Sequence, residues 1–405
     1  MPLVSIVGIV AEYNPLHHGH QYHIRKSRAD ANGGAIVAVI SADFVQRGEP
    51  ALLDKGDRAR MALAAGVDLV LELPVVFSCH NAGLFANAAV DILAATGVVD
   101  AISFGMENPE ADLGRLADLL NAEPEDFRAA LKKRLDEGYS FVQARGMALD
   151  ELLPGSLEIL RGANNNLALA YVKRVRERGY PLVISPVGRV GMGFHDRDGE
   201  AGGFASATAV RHVFGTEGIE EASALLPGES AAILRRAAAE GRVAADADRL
   251  WRAFKGTIVR CGAAGLRQVA EMREGLENRL LDAARRSGSL AAFVDACTSR
   301  RYPKGRIQRY CAHALIGLTH EESRCFQERG PAYLRVLGAN ARGRELLAEM
   351  RGRASLPVIS RASAPPDAYA RRMMDVEHRA TELWELLTER PLLRAEARRV
   401  PVLVA

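Results

Sequence analysis

The sequence has no apolar run approaching the ~20 residues of a membrane span, and no basic leader precedes its apolar start, so neither an anchor nor a secretory segment is expected. Its five cysteines, Cys79, Cys261, Cys297, Cys311 and Cys325, are an odd number and include no Cys-x-x-Cys pair. That usage argues against a disulfide framework and against structural zinc. Internal repeats and low-complexity tracts are missing too. What is left is 405 residues, 48% hydrophobic and 25% charged, enough for one or two globular domains with a substantial core. The expectation is a cytoplasmic protein without a membrane partner or a resident metal.

An even spread of charge is also lacking. Residues 231–405 carry 32 Lys and Arg against 20 Asp and Glu, a balance of +12, whereas residues 1–230 carry 21 against 30, a balance of −9. A basic half joined to an acidic half points to a polyanion as partner of the basic half. Its densest stretch holds Arg300, Arg301, Lys304, Arg306 and Arg309, five cations in ten residues with no carboxylate among them. Lys132-Lys133-Arg134 is a smaller cluster.

The most informative stretch is Val4-Ser5-Ile6-Val7-Gly8-Ile9-Val10-Ala11-Glu12-Tyr13-Asn14-Pro15-Leu16-His17-His18-Gly19-His20. The β-branched and small residues read as a buried strand, Asn14-Pro15 as a turn, and His17-x-Gly19-His20 as the opening of a helix. A helix N-terminus offers unpaired N–H groups and partial positive charge, which makes an anion site. His17 and His20, three apart, can reach the same anion, and Gly19 lets a flat ring lie against the backbone. A cap or a satisfied core histidine is the bland use of either residue, but the strand, turn and helix order favours attack on the α-phosphate of ATP.

Strands are expected at 4–11, 35–41, 67–73, 99–104 and 182–187, with helices such as 19–29, 55–65 and 82–95 between them. The alternation predicts an α/β fold: a Rossmann-like parallel sheet with helices on both faces and ligands at the carboxyl ends of its strands. A largely helical insertion covers about 112–178. After Leu226-Pro227-Gly228 the sequence turns Ala-, Leu- and Arg-rich with helical spacing, so a boundary is placed at 228. Residues 1–228 then form the nucleotidyltransferase-like domain and 229–405 a mainly α-helical, basic domain. Strand signals in the second half are confined to short pieces at 356–359 and 400–404.

Other segments fall near the expected ligand edge. Phe44-Val45-Gln46-Arg47-Gly48-Glu49-Pro50, with Asp54, Lys55 and Arg58 beyond it, reads as a substrate loop. Asn164-Asn165-Asn166 can read an adenine or ribose edge or serve as N-cap residues. Arg189-Val190-Gly191-Met192-Gly193 can hold a phosphate. Ser206, Thr208 and Arg211 start another helix and can clamp a polyphosphate, with Ser206 as a plain N-cap the alternative.

Taken together, E-Y-N-P-L-H-H-G-H, F-V-Q-R-G-E-P, D-L-V-L-E-L-P at 68–74, F-G-M-E at 104–107, N-N-N-L and S-A-T-A-V-R resemble the tRNA(Met) cytidine acetate ligase family. Y-P-K-G-R-I-Q-R-Y at 302–310 and Y-L-R-V-L-G at 333–338 resemble its C-terminal segments, so the likeness spans most of the chain. A K-M-S-K-S-like loop is absent, unlike in aminoacyl-tRNA synthetases. The resemblance implies a ligase that makes acetyl-adenylate and pyrophosphate from ATP and acetate. The acetyl group then passes to N4 of the wobble cytidine of elongator tRNA(Met), giving N4-acetylcytidine and AMP, with Mg2+ accompanying the ATP and no acetyl-CoA. It implies ATP contacts along residues 7–20 and at Gly105, one of Asn164 and Asn165, and Arg189. His17, His20 and Arg211 are the catalytic candidates, and Arg300 to Arg309 the tRNA-binding ones. Met106, Ala163 and Asn166 depart from the family pattern. The alternatives are an adenylyltransferase making a small-molecule cofactor, or a catalytically idle tRNA binder.

Overall fold

A computed structural model describes residues 5–189, 204–273, 275–362, 365–391 and 395–404. The alternating segments of the first half fold as five parallel strands, β1 (Ile6–Ala11), β2 (Ala35–Ser41), β3 (Leu69–Leu73), β4 (Ala101–Met106) and β5 (Val183–Gly188). Their ends match the sequence expectation to within two residues, except that Val4 lies outside the described residues. All seven residues of β2 are buried, as befits a parallel strand covered on both faces. Its alternation feeds two separate cores. Val37 and Val39 join Phe85 and Leu93 of the Ala82–Ala95 helix, while Ile36, Ala38 and Ile40 join Ile24 and Met61 of the His18–Asp30 and Lys55–Ala64 helices.

The strand order is β5-β4-β1-β2-β3, with Gly8 of β1 opposite Val37 on one side and Ile102 on the other. The chain leaves β1 toward β2 and β3 and later fills the other side with β4 and β5. This reversal opens a crevice at the carboxyl ends of β1 and β4. The insertion is helical, with Leu113–Ala122, Glu125–Asp136, Phe141–Leu152 and Ala163–Arg178 as its main elements.

The second half is mainly helical but also extends the sheet. β6 (Leu334–Ala339) pairs antiparallel with β3 and parallel with β7 (Val358–Ile359) and β8 (Val402–Leu403). The short pieces near 356–359 and 400–404 were expected as strands, whereas β6 was not. Leu-Arg-Val-Leu-Gly-Ala carries an arginine and a glycine inside six residues, a poor strand signal. It becomes a buried strand because Arg335 meets Glu72 of β3 at 3.2 Å and Glu396 near the C-terminus, partners that are remote in sequence. The texture change at 228 does not divide the core. Trp251, Phe254, Tyr310 and Trp384 share one cluster with Val37 and Phe104, and Leu234 and Ala237 share the other with Ile36. No described helix is long and apolar enough to cross a membrane.

Candidate active site

At the end of β1 the chain turns through Tyr13, at φ 48°, and a cis Asn14–Pro15 bond into the helix that begins at His18. His17 is the N-cap. Its Nδ1 accepts the Gly19 N–H at 3.0 Å, and the His17 N–H is donated to His20 Nδ1 at 3.3 Å, a reciprocal cap made by two imidazoles. The rings lie 3.8 Å apart. A Cβ on Gly19 would sit 2.9 Å from His17 Cε1, so the flat ring resting on the backbone is the motif's own histidine.

The cap decides protonation. With Nδ1 of both rings accepting, each proton sits on Nε2. Burial, followed by the nearby Arg189 guanidinium, pushes His17 down to about 3. Burial and then His17 and His23 hold His20 well below the usual range, and burial and Arg189 bring His23 to about 4. Both cap imidazoles are therefore neutral N–H donors. Full positive charge at this site comes from arginine.

Val10, Ala11, Tyr13, His17, Gly19, His20, Gly105, Asn164, Arg189 and Ser206 line a cavity over the β1–β4 crevice. A second compartment opens beside it, sharing His17, His20, Asn164 and Arg189 and adding Glu12, Asn14, Gln46, Glu49, Thr208 and Arg211. Seven residues expected at ATP stand apart from both. Val7, Gly8 and Ile9 lie lower in β1 amid its neighbouring strands, and Pro15 and Leu16 are buried in the turn. His18 faces Phe204 at 6.1 Å between ring centres. Asn165 is fully buried and fully used. Its Oδ1 accepts the Glu107 N–H at 3.0 Å, and its Nδ2 donates to Asn108 Oδ1 and the Ile159 carbonyl. Of the pair left open by the sequence, Asn164 faces the cavity, held by Glu107 Oε1 at 2.6 Å and by Arg189 at 3.4 Å.

Ser206 caps its helix, its Oγ accepting the Ala209 N–H at 3.1 Å, and it also lines the cavity. Arg211 donates to the Asn14 carbonyl at 2.7 Å and meets Glu49 Oε2 at 3.3 Å. Residues 190–193 of the expected phosphate loop lie outside the described residues. Of the substrate loop, Gln46, Arg47 and Glu49 face the second compartment. Arg58 is instead buried and donates to the carbonyls of Glu12, Ser41, Ala42 and Leu53, holding the ends of β1 and β2 together. Lys55 lies in a buried ion cluster with Glu72, Glu377 and Glu396. Those three carboxylates have a metal-like spacing, and the cation among them is the Lys55 ammonium. The sequence reading missed Tyr22, His23 and Tyr171 as lining residues. His23 had a legible signal, falling three residues after His20 on one helix face.

The second compartment continues into a wide cleft that shares Gln46, Arg47, Glu49, Thr208 and Arg211. Arg300, Arg301, Lys304, Arg306 and Arg309 all line this cleft. Gly138, Ser140, Phe141 and Val142 of the insertion form another part of its wall, with both apolar side chains exposed. Lys132-Lys133-Arg134 lies on the Glu125–Asp136 helix and is not part of the lining, and Arg134 pairs with Glu137 and Glu151.

Residues 4–398 match the family described as HIGH Nucleotidyl Transferase. The chain is 37% identical to the tRNA(Met) cytidine acetate ligase of Syntrophomonas wolfei over 98% of each chain, and 32% identical to that of Acetivibrio thermocellus over 96% of this chain and 97% of that one. In structure it is similar to Thermotoga maritima TmcAL bound with alpha-thio ATP, with a TM-score of 0.90 and 32% identity over 99% of both chains.

Proposed function

From the premise that the chain belongs to the tRNA(Met) cytidine acetate ligase family of HIGH nucleotidyl transferases, we propose that it is an ATP-dependent ligase acting on acetate and the wobble cytidine of elongator tRNA(Met). It works in the cytoplasm, where its tRNA is found, and takes ATP with Mg2+ rather than acetyl-CoA. In the first step an acetate oxygen attacks the α-phosphate and pyrophosphate leaves. The Nε2–H groups of His17 and His20 donate to the oxygens on which negative charge grows, and Arg189 and Arg211 supply the cations. Donors preset by a backbone cap need no reorganisation as the charge develops. Asn164, Gly105 and the end of β1 seat the nucleotide. In the second step N4 of the cytidine attacks the acetyl carbon and AMP departs. Cytidine N4 is a weak nucleophile, so placement beside the mixed anhydride and exclusion of water carry this step.

The observation that carries the proposal is the continuity of the three spaces, from the imidazole cap through the second compartment to the cationic cleft. A small-molecule adenylyltransferase has no use for the last of these. We further propose 229–405 as the main contributor of tRNA phosphate contacts, with Arg300, Arg301, Lys304, Arg306 and Arg309 at their centre. The test is radiolabelled acetate supplied with ATP and bulk tRNA. Label in tRNA, at N4 of cytidine after nuclease digestion, is the expected result. ATP–pyrophosphate exchange driven by a different acyl or nucleotide substrate would refute it.

A further inference from the structure

We propose that Glu12 is the base of the acyl-transfer step: its carboxylate takes a proton from the exocyclic amine of cytosine as that nitrogen attacks the acetyl carbon. This rests on the ligase reading above and names a residue for its second half-reaction.

The placement comes from how the three spaces join. A mixed anhydride formed at His17 and His20 lies in the first cavity, and a polyanion held by Arg300 to Arg309 lies in the cleft. The compartment between them shares a wall with each, so acyl group and amine meet there. The carboxylates lining it, among the described residues, belong to Glu12 and Glu49. Glu49 is committed, Oε2 to Arg211 at 3.3 Å and Oε1 to the Gln308 side-chain amide at 3.1 Å. Glu12 is half committed. Oε1 accepts the Gln46 N–H at 3.0 Å, and Oε2 accepts no hydrogen bond among the described residues. The residue is also fixed in place, because Arg58 donates to its own carbonyl at 2.9 Å.

The chemistry balances. The N4 lone pair forms the C–N bond, the bond from the acetyl carbon to the phosphate oxygen breaks with its electron pair leaving on AMP, and one N4 proton moves to Oε2 of Glu12. The same carboxylate selects the base. It accepts from the amine of cytosine and repels the carbonyl that uracil carries at that position. Burial raises the Glu12 pKa, and Glu49 raises it further, while the Gln46 N–H, Arg211 and Arg47 work in the opposite direction. Tyr13, Tyr171, His17, His20 and Arg189 line the same compartment, and Arg58 and Cys79 also lie within electrostatic reach of the carboxylate. A carboxylate with a raised pKa is better matched to proton transfer near neutral pH than an ordinary one.

The experiment uses the full chain with ATP, labelled acetate and tRNA. It measures acetate-dependent ATP–pyrophosphate exchange without tRNA and, separately, single-turnover transfer from preformed acetyl-adenylate. In Glu12→Gln the ratio of transfer to exchange should fall about 10²–10⁴-fold, with part restored in Glu12→Asp. Wild-type transfer should rise with pH through a pKa above the ordinary carboxylate range, and Glu12→Gln should lose that limb. Equal losses in both half-reactions would assign Glu12 to ATP and overturn the proposal, as would unchanged transfer, which would leave it a tether for the Gln46 loop. Wild-type protein that never labels tRNA would instead overturn the ligase reading itself.

Discussion

An imidazole whose Nδ1 already accepts a backbone N–H has one nitrogen left, and in a buried neutral ring that nitrogen carries the proton. His17 and His20 are both in this state, so each offers one aimed donor. His20→Ala should slow acetate-dependent ATP–pyrophosphate exchange by about 10²–10³ with the fold retained, the cost of losing a preset donor to developing charge. Near-normal exchange in a folded His17→Ala/His20→Ala double mutant would remove both from the mechanism. Asn164 and Asn165 separate the same way. Asn164→Ala should raise the KM for ATP, whereas Asn165→Ala should lower thermal stability, since it leaves the Glu107 N–H without its acceptor. Neutral burial also fixes the acid response. Burial holds His17 at about 3 and His23 at about 4 when folded, against near 6.5 when unfolded. Between those values the unfolded chain binds the extra proton, so stability is lost as pH falls from 6.5. Each such histidine adds about 1.4 kcal/mol per pH unit to the slope, readable from denaturant midpoints between pH 7 and 5.

At the scale of elements, the site depends on how the 44–50 loop meets the Lys304–Ile316 helix. Gly48 adopts φ 80°, and a Cβ there would run into the backbone of Gln308 and Arg309, so the loop lies directly on the helix that carries the cations. Glu49 then spans Gln308 and Arg211, tying that helix to the Ala207–Thr216 helix. Gly48→Ala should weaken tRNA binding and adenylation together, because it moves loop and helix apart. At the Ala207–Thr216 helix the two functions separate. Ser206→Ala removes the cap and should cost ~1 kcal/mol of stability with modest loss of turnover. Arg211→Ala should lower exchange by about 10²–10³, far more than the loss of the cap does. Full exchange activity in Arg211→Ala would exclude it from the polyphosphate.

For the whole molecule, two charge systems matter, one that joins the halves of the chain and one that lines the cleft. One is buried. Lys55 Nζ lies 2.6 Å from Glu72 and Glu377 and 2.8 Å from Glu396, joining β3 to the Ala368–Glu385 helix and the C-terminal segment. Lys55→Met would strand these carboxylates away from water and should cost about 3–5 kcal/mol, measured by urea unfolding. The other is exposed. Changing Arg300, Arg301 and Lys304 together to Ala should raise the Kd for tRNA and reduce the salt slope of binding by about 0.7–0.9 for each phosphate that is no longer neutralised. Exchange without tRNA should continue. Filter binding over a salt series, beside the exchange assay, checks both, and an unchanged slope would place the tRNA elsewhere.

What the sequence determined by itself is what short-range order carries. The run from β1 through Asn14-Pro15 to His20, the seven buried residues of β2 and the helical insertion all follow from periodicity, turn residues and caps within a few positions. So does the crowding of five cations between 300 and 309. The tertiary structure decided whatever depends on a remote partner. Arg335 made β6 a buried strand because Glu72 and Glu396 reach it. Arg58 and Lys55, beside a loop read as a substrate loop, became struts because the carbonyls and carboxylates that satisfy them converge there. Asn165 turned inward and Asn164 outward because the backbone N–H groups of Glu107 and Asn108, just beyond β4, offer Asn165 its partners. No local pattern records these choices. A buried charge or amide is tolerated only where its partners are, and the fold alone brings those partners together.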